Sequence, residues 1–169
     1  MSANGVKPNG TGYQQTKWDA EELLKKSELD WTIFRPSLVF GDPKDDNRPE
    51  FCKQLRDDML SLPFPAPLFY KGLFPIDAGS FCMSPIHVKN VAEFFVKSIR
   101  KLESISKVYI LGGTSTLSWK EIINEIAIAS GKRTWKIPAP VVIVKFIAKL
   151  LDKFQWFPVT GDQLDMLME

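Results

Sequence analysis

Tyr13 and Lys17 stand four residues apart in a segment of helical pattern, a pairing that could carry proton chemistry. Positions i and i+4 are neighbours on a helix, so a phenol and an ammonium are set side by side. A positive charge beside a phenol favours the phenolate, lowering its pKa from a free value of about 10 toward neutrality. A hydroxyl so tuned can exchange a proton with an alcohol or ketone at physiological pH. Lys17 shares a helical stripe with Tyr13, Ala20 and Leu24, which reads as the apolar, inward face. A lysine there costs on the order of several kcal/mol unless an anionic or hydrogen-bonding partner offsets its desolvation. The spacing alone is not specific. In a chain with three tyrosines and many lysines it also arises by chance, and a snorkelling lysine beside a packed tyrosine shows the same pattern.

The elements that would position this pair follow from periodicity. The pattern predicts a helix over 11–27, with Gln15, Asp19, Glu22 and Lys26 pointing outward. The β-branched and aromatic run from Asp30 to Arg35, ended by Pro36, predicts a strand. A polar turn from Gly41 to Asn47 leads to a helix from about Pro49 to Leu60. Pro63, Pro65, Pro67 and Pro75 then read as a loop, unfit for regular helix or central strand. A strand is expected over 81–86 and an amphipathic helix over 87–102, its stripe being Val88, Val91, Ala92, Phe95, Ile99 and Leu102. Lys107–Leu111 reads as a strand closed by Gly112 and Gly113. Ser118 and Glu121 form a capping box that opens a helix ending at Gly131. An extended piece over 134–137, a helix from Pro140 to about Lys153 and a last helix after Asp162 complete the reading. Strands alternating with helices indicate an α/β class with too few strands for a complete doubly wound sheet.

Composition removes several function classes. Apolar residues make up 44% and charged residues 25% of the 169, as in ordinary globular domains. A net charge of +2 without a dense basic stripe excludes nucleic acid as a partner. Cys52, Cys82 and the single His87 cannot furnish a usual zinc site, so no metal is expected, and both thiols read as small buried or half-buried hydrophobes in a reducing compartment. The polar, glycine-rich start from Met1 to Gly12 does not have the form of a signal peptide, and a cytoplasmic protein is expected. Val141 to Phe157 is apolar around most of its circumference, with Lys145, Lys149 and Asp152 as a narrow polar stripe. A helix so patterned is expected to be wedged among other helices or against a partner. An in-plane membrane helix is the alternative, less favoured, and a membrane partner is not expected.

Beyond Tyr13-Gln14-Gln15-Thr16-Lys17, a set of motifs recurs in one order: Ser2-Ala3, Glu21-Glu22-Leu23-Leu24, Leu29 to Gly41, Ser84 to Ala92, Tyr109 to Gly113, and Pro158 to Leu164. Together they resemble the C-terminal half of an extended or atypical short-chain dehydrogenase/reductase, in the NAD-dependent epimerase/dehydratase group. The nearest branch is similar to an accessory subunit of respiratory complex I and its bacterial relatives. The resemblance implies the C-terminal portion of a Rossmann-type fold plus a small substrate-binding lobe. Residues 1–41 would end the dinucleotide-binding domain, and 42–169 would be mainly the lobe, with one further sheet strand near 107–111. It implies Tyr13 as general acid/base, and Lys17 as the residue that lowers its pKa and holds the nicotinamide ribose. Ser2 would orient the substrate oxygen. The backbone of Pro36, Ser37, Leu38 and Val39 would meet the nicotinamide, and the substrate would be a carbonyl- or hydroxyl-bearing small molecule, possibly a nucleoside-diphosphate sugar. Arg35 is expected to be a structural ion-pair partner, and His87 a helix cap. Asn90 stands where such proteins usually carry an aspartate, a departure that weakens any contact made there.

The family's phosphate cradle, a Gly-x-x-Gly-x-x-Gly turn between strand and helix, has no counterpart. Gly5, Gly10 and Gly12 have the wrong spacing, and Gly112-Gly113 lacks a third glycine; both sets read as flexible turns. The chain is therefore expected to be a fragment lacking the glycine-rich half. The intact protein would use NAD or NADP, while this fragment would bind neither and be inactive. A non-catalytic subunit of a larger assembly, such as respiratory complex I, is the alternative. Strand 31–35, stripped of its neighbour, would present unpaired backbone, and a homo-oligomer through that edge or through the Tyr13 helix face is expected.

Overall fold

The computed structural model describes residues 1–42, 44, 50–60, 65–72 and 74–151. Its elements run in the order α1 (Gly12–Lys25), β1 (Thr32–Pro36), β2 (Val39–Phe40), α2 (Phe51–Gln54), β3 (Ala66–Tyr70), β4 (Cys82–Met83), β5 (Ile86–His87), α3 (Val88–Ser98), β6 (Lys107–Leu111), β7 (Leu117–Ser118), α4 (Trp119–Ala129), β8 (Lys136–Pro140) and α5 (Val141–Leu151). The expected helix after Asp162 lies outside the described residues. The chain divides into two units: Met1–Gly41 with Ser84–Thr116, and Asp42–Met83 with Leu117–Glu169. Thus α3 and β5 accompany the 107–111 strand in the first unit.

In that unit β1 and β6 pair in parallel, Thr32 opposite Lys107 through Pro36 opposite Leu111. The other side of β1 is occupied too. Ser2 donates its N–H to the Phe34 carbonyl at 2.8 Å, and Asn4 donates to Pro36 at 3.0 Å. A continuous parallel ladder would return a bond from residue 36 to the Ser2 carbonyl, but proline has no N–H to give. The expectation of an unpaired β1 edge is therefore corrected: the outer strand-like edge is Ser2–Asn4. Phe34, Ile86, Val91 and Leu111 form the core, with Phe95 packed on Phe34 at a ring separation of 4.6 Å. Only part of the stripe expected on α3 is buried: Val88 and Ala92 are exposed within the helix, and Ile99 and Leu102, also exposed, fall beyond its end at Ser98. Ser104 organises that stop: its buried hydroxyl bonds the carbonyls of Ser98 and Lys101, and its own carbonyl accepts from Thr32 Oγ1.

Gly112-Gly113 is not a flexible turn. A Cβ on Gly113 would stand 2.0 Å from the Pro85 carbonyl oxygen, so only glycine lets the two backbones approach.

The second unit is built around Trp119, which packs against Phe51, Phe69 and Phe81 and donates its indole N–H to the Pro67 carbonyl at 2.9 Å. The Ser118–Glu121 capping box opens α4 as expected, and Ile122, Ile123 and Ala127 complete the buried face. The proline-rich stretch is not all loop: β3 carries Pro67 and pairs in parallel with β8, which carries Pro138 and Pro140. Ala66 donates to the Trp135 carbonyl, so even-numbered β3 nitrogens and odd-numbered β8 nitrogens face the partner strand. All three prolines then fall where an N–H would have pointed away from the pair, the positions where proline costs a strand least. Helix α2 widens after Gln54 into π-type turns through Leu60. The two thiols differ: Cys52 is half-buried, and burial together with the Glu50 carboxylate pushes it up to about 11, whereas Cys82 is exposed. The expectation that both are buried or half-buried holds for Cys52 and fails for Cys82, which lies on a two-residue edge strand.

Two outcomes follow. Gly113→Ala should lower the urea midpoint by the equivalent of roughly 2–3 kcal/mol, whereas Gly12→Ala, with nothing within 4 Å of the added methyl, should not destabilise. At pH 8 a thiol reagent should label Cys82 in the native chain, leaving Cys52 to react only on unfolding; rapid labelling of both would contradict the burial described.

Candidate active site

Helix α1 begins at Thr11, whose hydroxyl accepts from Gln14 N–H while the Gln14 side chain accepts from Thr11 N–H. The inward face of this helix is polar. Gln14 and Glu21 are its buried residues, whereas Tyr13 is 47% exposed and Ala20 is exposed, so the stripe expected to be inward is corrected by about a third of a turn. The physical reason is that each buried polar group has a partner. The Gln14 amide also donates to the Gly5 carbonyl at 3.0 Å, and Gln15 accepts from Asn9 N–H, which together pin the first ten residues to the helix.

Glu21 is 3% exposed and receives two bonds from Arg35, Nε at 2.8 Å and Nη2 at 2.6 Å. Lys25 adds a more distant charge at 3.8 Å. Burial alone would raise the Glu21 carboxyl, but the Arg35 bonds, the nearby Ser2 hydroxyl and the charges of Arg35 and Lys25 outweigh it and hold the carboxyl below its ordinary value. The bond to Glu21 correspondingly raises Arg35. Arg35 is thus the ion-pair partner expected of it. Glu21, the other half, was not identified from the sequence; its spacing of seven residues from Gln14 on the same helix face was the available signal.

Tyr13 and Lys17 are adjacent: Lys17 Nζ lies over the Tyr13 ring, 5.6 Å from its centroid. This is within cation–π range. Lys17 forms no salt bridge among the described residues, so its ammonium remains available to a ligand. Ser2 is placed differently from a solvent-facing site residue. It is buried, and its Oγ, although close enough to stabilise the Glu21 carboxylate, makes no well-aligned hydrogen bond. In the Pro36–Val39 loop, Ser37 N–H bonds the Leu111 carbonyl, and the Leu38 carbonyl accepts from Ile86 N–H. The Leu38 N–H has no partner among the described residues. His87 caps α3, its Nδ1 accepting from Lys89 N–H at 3.1 Å, with its ring edge-on to Phe40. Asn90 is exposed in the first turn of α3. No cluster of metal-ligating side chains occurs among the described residues.

Because Glu21 is depressed in the folded state, its stabilisation is fully present above the unfolded carboxyl value and lost as pH falls through the folded one. Glu21→Gln should therefore destabilise the chain at pH 7 by roughly 3 kcal/mol. That deficit should shrink as pH drops from about 5 toward 2, which denaturant titrations across the acid limb would measure.

Comparisons with known proteins bear on the same segments. The family model for the NAD-binding domain of male sterility protein matches residues 1–55, which carry Ser2, the Tyr13–Lys17 pair and the Pro36–Val39 loop. UDP-glucose 4-epimerase from Vibrio cholerae is 28% identical over 148 residues, covering 83% of this chain and 40% of the relative. Among solved structures, a nucleoside-diphosphate-sugar epimerase from Staphylococcus aureus superimposes with a TM-score of 0.61 at 18% identity, over 99% of this chain and 55% of that one. The Thermus thermophilus UDP-glucose 4-epimerase, solved with NAD, gives 0.56 at 22% identity over 76% and 41%. The chain thus spans about half or less of the length of the relatives it matches. Their shared fold is Rossmann-type, and over these segments the chain is similar to NAD-dependent nucleotide-sugar epimerases of the short-chain dehydrogenase/reductase kind.

Proposed function

We propose that this chain supplies the proton-transfer half of an NAD(P)-dependent oxidoreductase or epimerase acting on a carbonyl or hydroxyl of a small molecule, a nucleoside-diphosphate sugar by analogy with its relatives. The observation that carries the reading is the half-exposed Tyr13 with the unpaired Lys17 ammonium over its ring. Such a phenol is open to a substrate oxygen, and proton exchange there is general acid/base catalysis. Lys17 has donors left for a ribose hydroxyl. The free Leu38 N–H in the Pro36–Val39 loop suits a carboxamide acceptor, so the residues present fit a nicotinamide. When bound, that cofactor supplies hydride transfer; the chain contributes binding, orientation and the proton. Ser2, tied by its backbone to β1 and lying beside Glu21, acts in this reading as a positioning residue for α1.

The glycine-rich phosphate cradle belongs to the other half of the active protein, so the chain alone is expected to bind no dinucleotide. The relatives' greater length supports this division. Association of copies would run through the outer edge of Ser2–Asn4 or the exposed Tyr13 face of α1, in a cytoplasmic setting. Among the described residues no helix is long and apolar enough to cross a membrane.

The test joins or co-expresses the chain with a glycine-rich dinucleotide-binding half and assays UDP-sugars with NAD. Tyr13→Phe should lower kcat about a hundredfold with KM little changed, and Lys17→Met should weaken both turnover and NAD affinity. Full activity of Tyr13→Phe would overturn the assignment.

A further inference from the structure

His87 is the chain's only histidine, and it stands where three elements of the first unit meet. Its backbone belongs to β5, which sets Val39 opposite Ile86 and Phe40 opposite His87, and Ile86 donates its N–H to the Leu38 carbonyl at 2.8 Å. Its ring lies edge-on to Phe40, the centroids 5.3 Å apart. Its Nδ1 accepts the Lys89 N–H at 3.1 Å and so caps α3. Room beside the ring is scarce: a Cβ on Gly41, whose φ is +131°, would stand 2.9 Å from Nε2. The residue that opens α3 therefore also abuts the two residues that follow the Pro36–Val39 loop.

Nδ1 can accept only while it carries no proton, which in a neutral ring leaves the hydrogen on Nε2. Protonation turns Nδ1 into a donor aimed at the Lys89 N–H, so the cap becomes a repulsion. It also sets a positive charge at the positive end of the α3 dipole. The first turn of α3 holds no acidic residue, and its ionisable member, Lys89, is a second cation. From β2 the ring is faced by Phe40 and Gly41, neither of which titrates. Asp42, next in the chain, has a carboxylate oxygen on the Lys44 N–H, and Glu93, farther along α3, pairs with Lys97. Among the described residues no carboxylate forms an ion pair with His87. A charged ring must then turn, or the first turn of α3 must open. Turning breaks the contact with Phe40 and presses on Gly41; opening pulls on β5, whose Ile86 N–H holds Leu38.

We propose that His87 is a positioning residue for the Pro36–Val39 loop and holds it only as a neutral imidazole, so that the loop's anchorage loosens as pH falls. That this loop meets a nicotinamide rests on the function proposed above; the junction itself does not. Imidazole ordinarily titrates at about 6.5, a range in which other unperturbed side chains keep their charge. The contribution of the cap is thus present on the alkaline side of that range and lost on the acid side.

Nitrogen-15 NMR of the 169-residue chain tests it. At about pH 8 the His87 proton should lie on Nε2. Hydrogen-exchange protection, corrected for the intrinsic rate at each pH, should fall about tenfold at both the Lys89 and the Ile86 amides between about pH 7.5 and about 5.5. His87→Asn keeps a capping acceptor that does not titrate, and should hold both protections level across that range. A proton on Nδ1 at alkaline pH, or level protection in the unaltered chain, would overturn the proposal even if His87→Asn does not fold. An equal fall in His87→Asn would overturn it too, assigning the effect to the Met1 amino group or to carboxylates. A fall confined to the Lys89 amide would overturn the positioning role, leaving His87 a cap that does not reach the loop. All of these are read on the chain alone, and so stand apart from the outcome of Tyr13→Phe in the joined protein.

Discussion

The position of the candidate site depends on one ion pair. Glu21, nearly sealed from solvent, takes both hydrogen bonds of the Arg35 fork, and so fastens the middle of α1 to the middle of β1. A paired carboxylate so placed holds only one geometry well, because moving either partner strands a charge in a poorly solvated place. Lys17 and Tyr13 lie about one and two turns upstream on the same helix, and the Pro36–Val39 loop follows directly from the strand that carries Arg35. Helix, loop and phenol are therefore held in register by a contact that itself performs no chemistry.

The N-terminal residues complete this frame. Ser2 and Asn4 bond the carbonyls of Phe34 and Pro36, and Gln14 and Gln15 fasten Gly5 and Asn9. Residues that read as a polar, glycine-rich lead are in fact the outermost strand-like layer over β1. Polar side chains on α1 thus serve tertiary structure, and the helix spends its apolar potential elsewhere: Leu23 is exposed.

Much of the architecture was legible because it rests on local signals. The α1 and α4 capping boxes, the β-branched run of β1 and the Lys107–Leu111 strand each declare themselves within a few residues. What stayed hidden depends on distant partners. Strand β3 was masked by Pro67, which is compatible with pairing only because β8 lies on one side of it. The inward face of α1 was misjudged because Glu21 reads as a surface residue until Arg35 is brought to it. Gly113 reads as a turn until the Pro85 carbonyl is found against it. The adjacency of Tyr13 and Lys17 needed only helical spacing, whereas the burial of Ser2 beside Glu21 could not be seen without the sheet.

A double-mutant cycle on Glu21→Gln and Arg35→Gln, read by urea unfolding at neutral pH, tests the central claim that this pair docks the Tyr13–Lys17 helix onto the sheet. The account predicts a coupling of about 2 kcal/mol or more, within the range for neighbouring charges, the double variant losing much less than the sum of the single ones. Additive losses would mean that α1 is held by other contacts and that the site's geometry does not rest on this pair.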